Sequence, residues 1–233
     1  ELPPETTYCG YGFYHGILEH TFRDYPDIEL GKELCEYLTV SLSDSIPRIR
    51  LNCFHGLGHA SVFEPSDGSG WGDPHAIVAR ALEGCDTISE RATERRECLQ
   101  GAFNVMSDWI SRREFGLAFD EGDPLGYCGE QAELEHQRAC YYELGMHLWS
   151  RVDGDLPRIA AIAETIDDEF SAVTVVHVAA AGLMERAVTK ERHEEYIFEC
   201  RKLAERFRIN CITAVAAGLI AHGEPEREYV KSL

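Results

Sequence analysis

The apolar positions of this chain follow a long repeat. Proline-free segments rich in small and apolar residues start at six positions: Cys9, Cys53, Cys98, Cys140, Val175 and Cys211. The intervals between these starts are 44, 45, 42, 35 and 36 residues. A period near 40 residues is typical of stacked helical hairpins. The sequence therefore predicts an all-α fold, a single domain over residues 1–233 built from about six hairpins, either as an open solenoid or as a closed toroid.

Each repeat is predicted to contain two helices. The first helix is expected to begin at the start residue, and a proline is expected to begin the second helix, since proline suits a first helical turn. The prolines that fit are Pro26, Pro74, Pro124, Pro157 and Pro225. Asp73 and Asp123 precede two of them and are good N-cap residues.

The remaining cysteines lie shortly before the next repeat start. This spacing predicts four disulfides that link the end of one hairpin to the start of the next: Cys35–Cys53, Cys85–Cys98, Cys128–Cys140 and Cys200–Cys211. Repeat five starts with valine, and repeat four has no second cysteine after Cys140, as expected if a disulfide is lost as a pair. Cys9 has no assigned partner. A reduced protein with cysteine metal ligands is the alternative, although the chain has no C-x-x-C pair. The stapling pattern favours an oxidising, extracytoplasmic location: secreted, periplasmic, or an exposed part of a membrane-anchored protein.

The net charge of the chain restricts the kinds of partner that it is expected to bind. The formal net charge is −19, from 41 acidic and 22 basic residues, so nucleic acid is disfavoured and cations are attracted. No apolar run reaches the roughly 20 residues that span a bilayer.

Candidate chemistry lies on the first helices. Counted from the start residue, positions two, six and ten share one helix face because they are four residues apart. In the first three repeats this face is rich in polar side chains: Tyr11, His15, Glu19, His55, His59, Gln100, Asn104 and Asp108. Equivalent helices of a solenoid lie side by side, so these residues are expected to be neighbours.

The histidine pair defines the predicted metal site. His55 and His59 are spaced to chelate one ion, and His15 and Glu19 would complete the site, with Tyr11, Gln100, Asn104 and Asp108 lining it. Zinc, copper and iron all accept imidazole and carboxylate ligands. The alternative is that both histidines are hydrogen-bonded core residues. Four other histidines, in loop or charged surroundings, are predicted to be exposed: His75, His136, His193 and His222.

The stretch C-x-H-G-x-G-H at Cys53–His59, with its cysteine-spaced repeats, resembles a loosely defined group of bacterial exported proteins without an established function. The hairpin plan resembles tetratricopeptide and Sel1-type solenoids in architecture only.

Three functions remain open from the sequence. The first is an extracytoplasmic module that binds a transition metal or a small polar ligand. The second is a scaffold for a protein or peptide partner, as most solenoids are. The third is a metal-dependent enzyme in which Glu19 or Asp108 is the general base.

Overall fold

The computed structural model describes residues 16, 18, 20, 27–42, 48–62, 70–184 and 190–222, with only the backbone of 190–192 and 219–222. Within these ranges the chain is helical and contains no strand. The helices are α1 (Ile28–Leu42), α2 (Ile49–Ser61), α3 (Pro74–Thr87), α4 (Ala92–Arg112), α5 (Gly126–Gly129), α6 (Leu134–Arg151), α7 (Leu156–Ala163), α8 (Glu169–Met184), α9 (Lys190–Lys202) and α10 (Glu205–His222), with a 3₁₀ turn at Glu114–Gly116. None of them is long and apolar enough to span a membrane.

The chain divides into two compact units, Glu1–Phe119 and Asp120–Leu233. In the N-terminal unit the first helices of repeats two and three, α2 and α4, pack along each other. In the C-terminal unit the first helices of repeats four, five and six, α6, α8 and α10, pack in that order. Side-by-side packing of equivalent first helices is therefore confirmed for repeats two and three and for repeats four to six.

The four predicted disulfides are all present. They join Cys35 to Cys53, Cys85 to Cys98, Cys128 to Cys140 and Cys200 to Cys211, with Cα–Cα distances of 5.3–5.5 Å. All eight cysteines are fully buried. Closing loops of this length contributes about 3 kcal/mol each in the chain-entropy model. Four disulfides in one small chain are typical of proteins that fold in an oxidising environment.

The junction without a disulfide is filled by two apolar side chains. Ala163 at the end of α7 and Val175 in α8 are fully buried, as the cysteines are at the other junctions. The apolar pair occupies the place in the repeat where a disulfide lies elsewhere.

The predicted starts of the first helices are wrong by one to two turns. The first helices begin four to six residues before the start cysteine, at Ile49, Ala92, Leu134 and Glu205. Acidic side chains in the first turn, such as Glu94 and Glu205, complement the positive end of the helix dipole. The cysteine then lies in the second turn, on the buried face.

The proline predictions have mixed outcomes. Pro74 lies in the first turn of α3, and the Asp73 side chain accepts hydrogen bonds from the backbone N–H of His75 and Ala76. Pro157 similarly lies in the first turn of α7, which Asp155 caps. Pro26 and Pro225 lie outside the described residues.

At Pro124 the prediction is wrong. The chain makes a turn there, and the helix that follows, α5, has only four residues, with glycine at both ends. Glycine disfavours helix propagation because ordering its backbone costs more entropy. Asp123 does not cap this helix through its side chain.

Candidate functional site: a histidine pair on α2

The two histidines of the C-x-H-G-x-G-H stretch converge. His55 and His59 lie one turn apart on α2, both half-buried. Their Nε2 atoms are 3.1 Å apart, and the ring centroids are separated by 4.9 Å. The i, i+4 spacing places both side chains on one helix face. The two imidazole Nε2 atoms therefore lie close enough to bind the same ion.

Backbone contact holds the turn that carries this pair. A Cβ added to Gly101 of α4 would overlap the carbonyl oxygen of His55 and approach the backbone nitrogen of His59 to 3.0 Å. A Cβ added to Gly58 of α2 would overlap the carbonyl oxygen of Cys98. Only glycine allows backbones to approach this closely. The turn of α2 that carries His55 and His59 therefore packs directly against the backbone of α4.

The predicted lining residues lie on α4. Gln100, Asn104 and Asp108 are half-buried, as His55 and His59 are on α2. Asp108 also forms an ion pair with Arg112, at 2.7 Å between Oδ2 and Nη2. Arg112 was not identified from the sequence as a partner of Asp108, although a spacing of four residues is typical of an ion pair on a helix.

The other two predicted ligands, His15 and Glu19, and the predicted lining residue Tyr11 lie outside the described residues, so their place relative to His55 and His59 stays a prediction. Within the described ranges, no group of three or more His, Cys, Asp or Glu side chains could hold a metal ion. The described part of the chain therefore offers two convergent imidazoles for a candidate site.

The same helix face changes character in the C-terminal unit. Positions two and six hold Tyr142 and Met146 on α6, then His177 and Ala181 on α8, all half-buried. The Nδ1 atom of His177 lies 3.1 Å from the carbonyl oxygen of Asn210. His177 thus has the repeat position of His55 with an alanine in the place of His59.

An arginine–carboxylate pair joins α2 to the start of α4. Arg50 binds Glu94, which is 1% exposed and also accepts a hydrogen bond from Ser89. Burial alone would raise the pKa of Glu94, but the hydrogen bonds from Arg50 and Ser89 outweigh it and lower this pKa. The carboxylate stays ionised inside the helix junction.

A corresponding pair joins α6 to α8. Arg138 donates two hydrogen bonds to Asp168, at 2.9 and 3.0 Å, and Ser171 donates to the same carboxylate. The hydrogen bonds from Arg138, against a smaller opposing effect of burial, lower the pKa of Asp168 to about 2. Neither pair was identified from the sequence, because its partners are 44 and 30 residues apart.

Two histidine predictions are wrong. His136 and His193 are buried, at 9% and 5% exposure, because each lies on the side of its helix that faces the core, although its sequence neighbours are charged. His75 is exposed as predicted, and the side chain of His222 lies outside the described residues.

Protein-family models, curated proteins and solved structures were each compared with this chain, and none of the three comparisons gives a match. The function is therefore inferred from the residues and their geometry.

Proposed function

We propose that this protein is an extracytoplasmic helical-repeat module that binds a transition metal ion through His55 and His59. The observation that carries the proposal is the separation of 3.1 Å between the two Nε2 atoms. The four disulfides support a location outside the cytoplasm, because they persist in oxidising compartments.

The distance fits chelation. Imidazole nitrogens lie about 2.0–2.1 Å from bound zinc, so two nitrogens 3.1 Å apart subtend an angle of about 100° at the ion. This angle lies between the 90° of a square plane and the roughly 109° of a tetrahedron, the geometries of copper(II) and zinc. The pair needs little rearrangement to bind either ion.

Rigidity strengthens the proposal. The histidines stand on one helix, and Gly101 presses the backbone of α4 against the turn between them. A ligand pair held in place by packing loses little entropy on binding. The protein's net charge of −19 also raises the local concentration of cations.

Two protein ligands leave coordination positions for other groups. His15 and Glu19 are the proposed further ligands, from the preceding repeat. Gln100 and Asn104 would then stand beside the ion on α4, where amide groups can hydrogen-bond a coordinated water or a small polar ligand.

The competing explanation is a simple hydrogen bond between two neutral imidazoles, in which one ring donates and the other accepts. Such a pair stabilises α2 without binding a metal ion. The two explanations differ in what happens when metal is added.

Calorimetric titration of the oxidised protein with zinc(II) and with copper(II) tests the proposal. We expect one equivalent to bind, and we expect His55→Ala and His59→Ala each to weaken binding at least tenfold, about 1.4 kcal/mol. His177→Ala is the matched control, since it removes a histidine from the same repeat position in the C-terminal unit. Equal affinity of the wild type and the two α2 variants would overturn the proposal.

Two further variants refine the site. His15→Ala and Glu19→Gln are expected to weaken binding if these residues complete the coordination. Conversely, Ala181→His places a second histidine four residues after His177, and a gain of metal binding there would show that the i, i+4 pair is sufficient. Helix content and free thiols, measured by circular dichroism and thiol titration, check that each variant keeps its fold.

A further inference from the structure

The outer face of α1 carries an exposed apolar surface. Leu30, Tyr37 and Val40 are 48%, 67% and 85% exposed, and Leu34 is half-buried between the first two. We call these four residues the outer stripe. Their spacing of four, seven and ten residues from Leu30 places them along one side of the helix, over about 15 Å. Spacing of this kind is typical of a helix that packs against another helix.

Comparison with the other repeats shows that this apolar character is specific to α1. In repeat one, Leu30 lies five residues before the second cysteine, Cys35, and Tyr37 and Val40 lie two and five residues after it. We compare these three positions with their equivalents in other repeats. In repeat two they are Arg80, Thr87 and Glu90, and in repeat five they are Glu195, Lys202 and Glu205, all exposed. The repeat fold therefore places these positions in solvent and is compatible with polar side chains there.

The repeat also shows what kind of element packs on this side. The residue just before the second cysteine faces the second helix of the preceding repeat. In α3 this residue is Gly84, where an added Cβ would lie 2.5 Å from Cδ1 of Ile28 on α1. In α9 it is Glu199, which lines a cavity of about 320 Å³ together with Leu156 and Pro157 of α7.

The matching residue on α1 is Leu34. Leu34 therefore has the repeat position at which this fold stacks one second helix on another, and Leu30, Tyr37 and Val40 extend the apolar surface on either side of it. A helix is the occupant that we expect to pack on such a surface.

Charge indicates which helix would bind. Glu29, Glu33 and Glu36 are exposed on α1 beside the stripe, and Nζ of Lys32 lies 3.9 Å from Oε2 of Glu29. A second copy of this acidic chain would bring glutamates against glutamates, whereas a helix flanked by lysine and arginine would pair with them.

We infer that the outer stripe is a docking surface for an amphipathic helix of another protein, with an apolar face that covers Leu30, Leu34, Tyr37 and Val40 and basic side chains that face Glu29, Glu33 and Glu36. This interaction goes beyond metal binding and uses a different surface. An apolar helix face packed on another helix is a common mode of peptide recognition. A contact about 15 Å long is small, so the complex is expected to be transient, with micromolar affinity.

A designed peptide tests the inference. The probe is a fluorescent helical peptide of about 18 residues, with leucines four, seven and eleven residues after the first and lysine or arginine along the flank. A second peptide carries glutamate in place of each basic residue. Fluorescence anisotropy measures the binding of both to the oxidised full chain.

The matched variant is Leu30→Arg, Tyr37→Thr and Val40→Glu together. It gives α1 the side chains that α3 and its flank carry at the same repeat positions, and it leaves the net charge at −19 because one positive and one negative charge are added. Non-specific attraction of a basic peptide is therefore the same in both proteins. Phe198→Thr removes an exposed aromatic side chain from the C-terminal unit as a second control.

We expect the basic peptide to bind the wild type and Phe198→Thr alike, and the triple variant at least tenfold more weakly. Equal binding to wild type and triple variant would overturn the inference, as would equal binding of the acidic peptide. No binding up to about 1 mM would also overturn it, since that corresponds to only about −4 kcal/mol. Sedimentation that shows a wild-type dimer and a monomeric triple variant would assign the stripe to self-association instead.

Discussion

In the N-terminal unit, Gly101 of α4 lies against backbone atoms of α2, whereas in the C-terminal unit Gly145 of α6 faces side-chain atoms of Val175 and Val178 as well as the Cα of Val175. Both contacts join equivalent first helices of consecutive repeats. A backbone contact has no rotamers through which it can adjust, but a valine methyl group can move. The contact is therefore rigid at Gly101 beside His55 and more tolerant at Gly145. The backbone contact of the C-terminal pair lies instead at Gly182 of α8, where an added Cβ would lie 2.7 Å from the carbonyl oxygen of Met146.

The side chains at positions two and six of the first helices also differ between the two units. The N-terminal unit places His55, His59, Gln100 and Asn104 there, while α6 and α8 carry Met146 and Ala181 at position six. The N-terminal unit thus combines a backbone contact at Gly101 with polar side chains at position six. The C-terminal unit combines a side-chain contact at Gly145 with apolar or small side chains at that position.

Removing or adding a disulfide is expected to change the free energy of unfolding more than any other variant below. Replacing both Cys85 and Cys98 with alanine in the N-terminal unit should lower the free energy of unfolding by about 3 kcal/mol. Conversely, Ala163→Cys with Val175→Cys should form a disulfide at the unstapled junction of the C-terminal unit and add up to the same amount. Urea unfolding under non-reducing conditions measures both changes.

Thiol titration is the control for the engineered pair. Ala163 and Val175 are both fully buried, and α7 packs against α8. Free thiols in the oxidised double variant would show that this junction lacks the geometry of the other four.

Substitutions of the two contact glycines, Gly101 and Gly145, are expected to give the next largest change in stability. Gly101→Ala is expected to destabilise the protein by about 3 kcal/mol, because the new methyl group overlaps backbone atoms, whereas Gly145→Ala should cost about 1 kcal/mol. Thermal unfolding gives the difference between the two variants. A metal titration of Gly101→Ala is also expected to show weakened binding through the displaced histidine turn, which Gly145→Ala leaves unchanged. Equal destabilisation by both variants would contradict the distinction between backbone and side-chain contacts.

The arginine–carboxylate pair of the C-terminal unit gives the smallest effect. The folded-state pKa of Asp168 is about 2, below its usual 3.8, so its ionised form stabilises the fold above about pH 4. This contribution is lost as the pH falls toward 2. Asp168→Asn should therefore cost about 1–2 kcal/mol at pH 5 and almost nothing near pH 2. Urea unfolding at both pH values measures the change.

Two variants sharpen this test. Asp167→Asn, at the exposed neighbouring position, should leave the pH profile unchanged. Arg50→Met in the N-terminal unit should cost more than Arg138→Met, because Glu94 is 2% exposed at its side chain and Asp168 is 20% exposed. A larger effect of Arg138→Met would reverse the expected order of the two units.

Much of this architecture could be read from local spacing. The cysteine intervals predicted all four disulfides, since each closes a loop of 11–18 residues at a hairpin junction. The i, i+4 spacing of His55 and His59 likewise predicted their convergence, because helix geometry alone places them on one face. Whether His15 and Glu19 join them depends on residues outside those that the structure describes.

Other features depended on contacts that spacing does not encode. The starts of the first helices and the one-turn helix α5 were predicted wrongly because cysteine and proline mark a repeat without fixing which residues propagate a helix. Burial of His136 and His193 was missed because charged sequence neighbours conceal which side of a helix faces the core. The outer stripe became visible only when equivalent positions of several repeats could be compared for exposure.

The sequence by itself determined the helical repeat, the disulfide pairing and the convergence of the two histidines, because each follows from separations along one chain or one helix. The tertiary structure decided which helix backbones touch, which carboxylates are paired with arginine, and which apolar side chains of α1 stay in solvent. These depend on how elements 30 or more residues apart are brought together, and only the packed fold specifies which side chains they bring into contact.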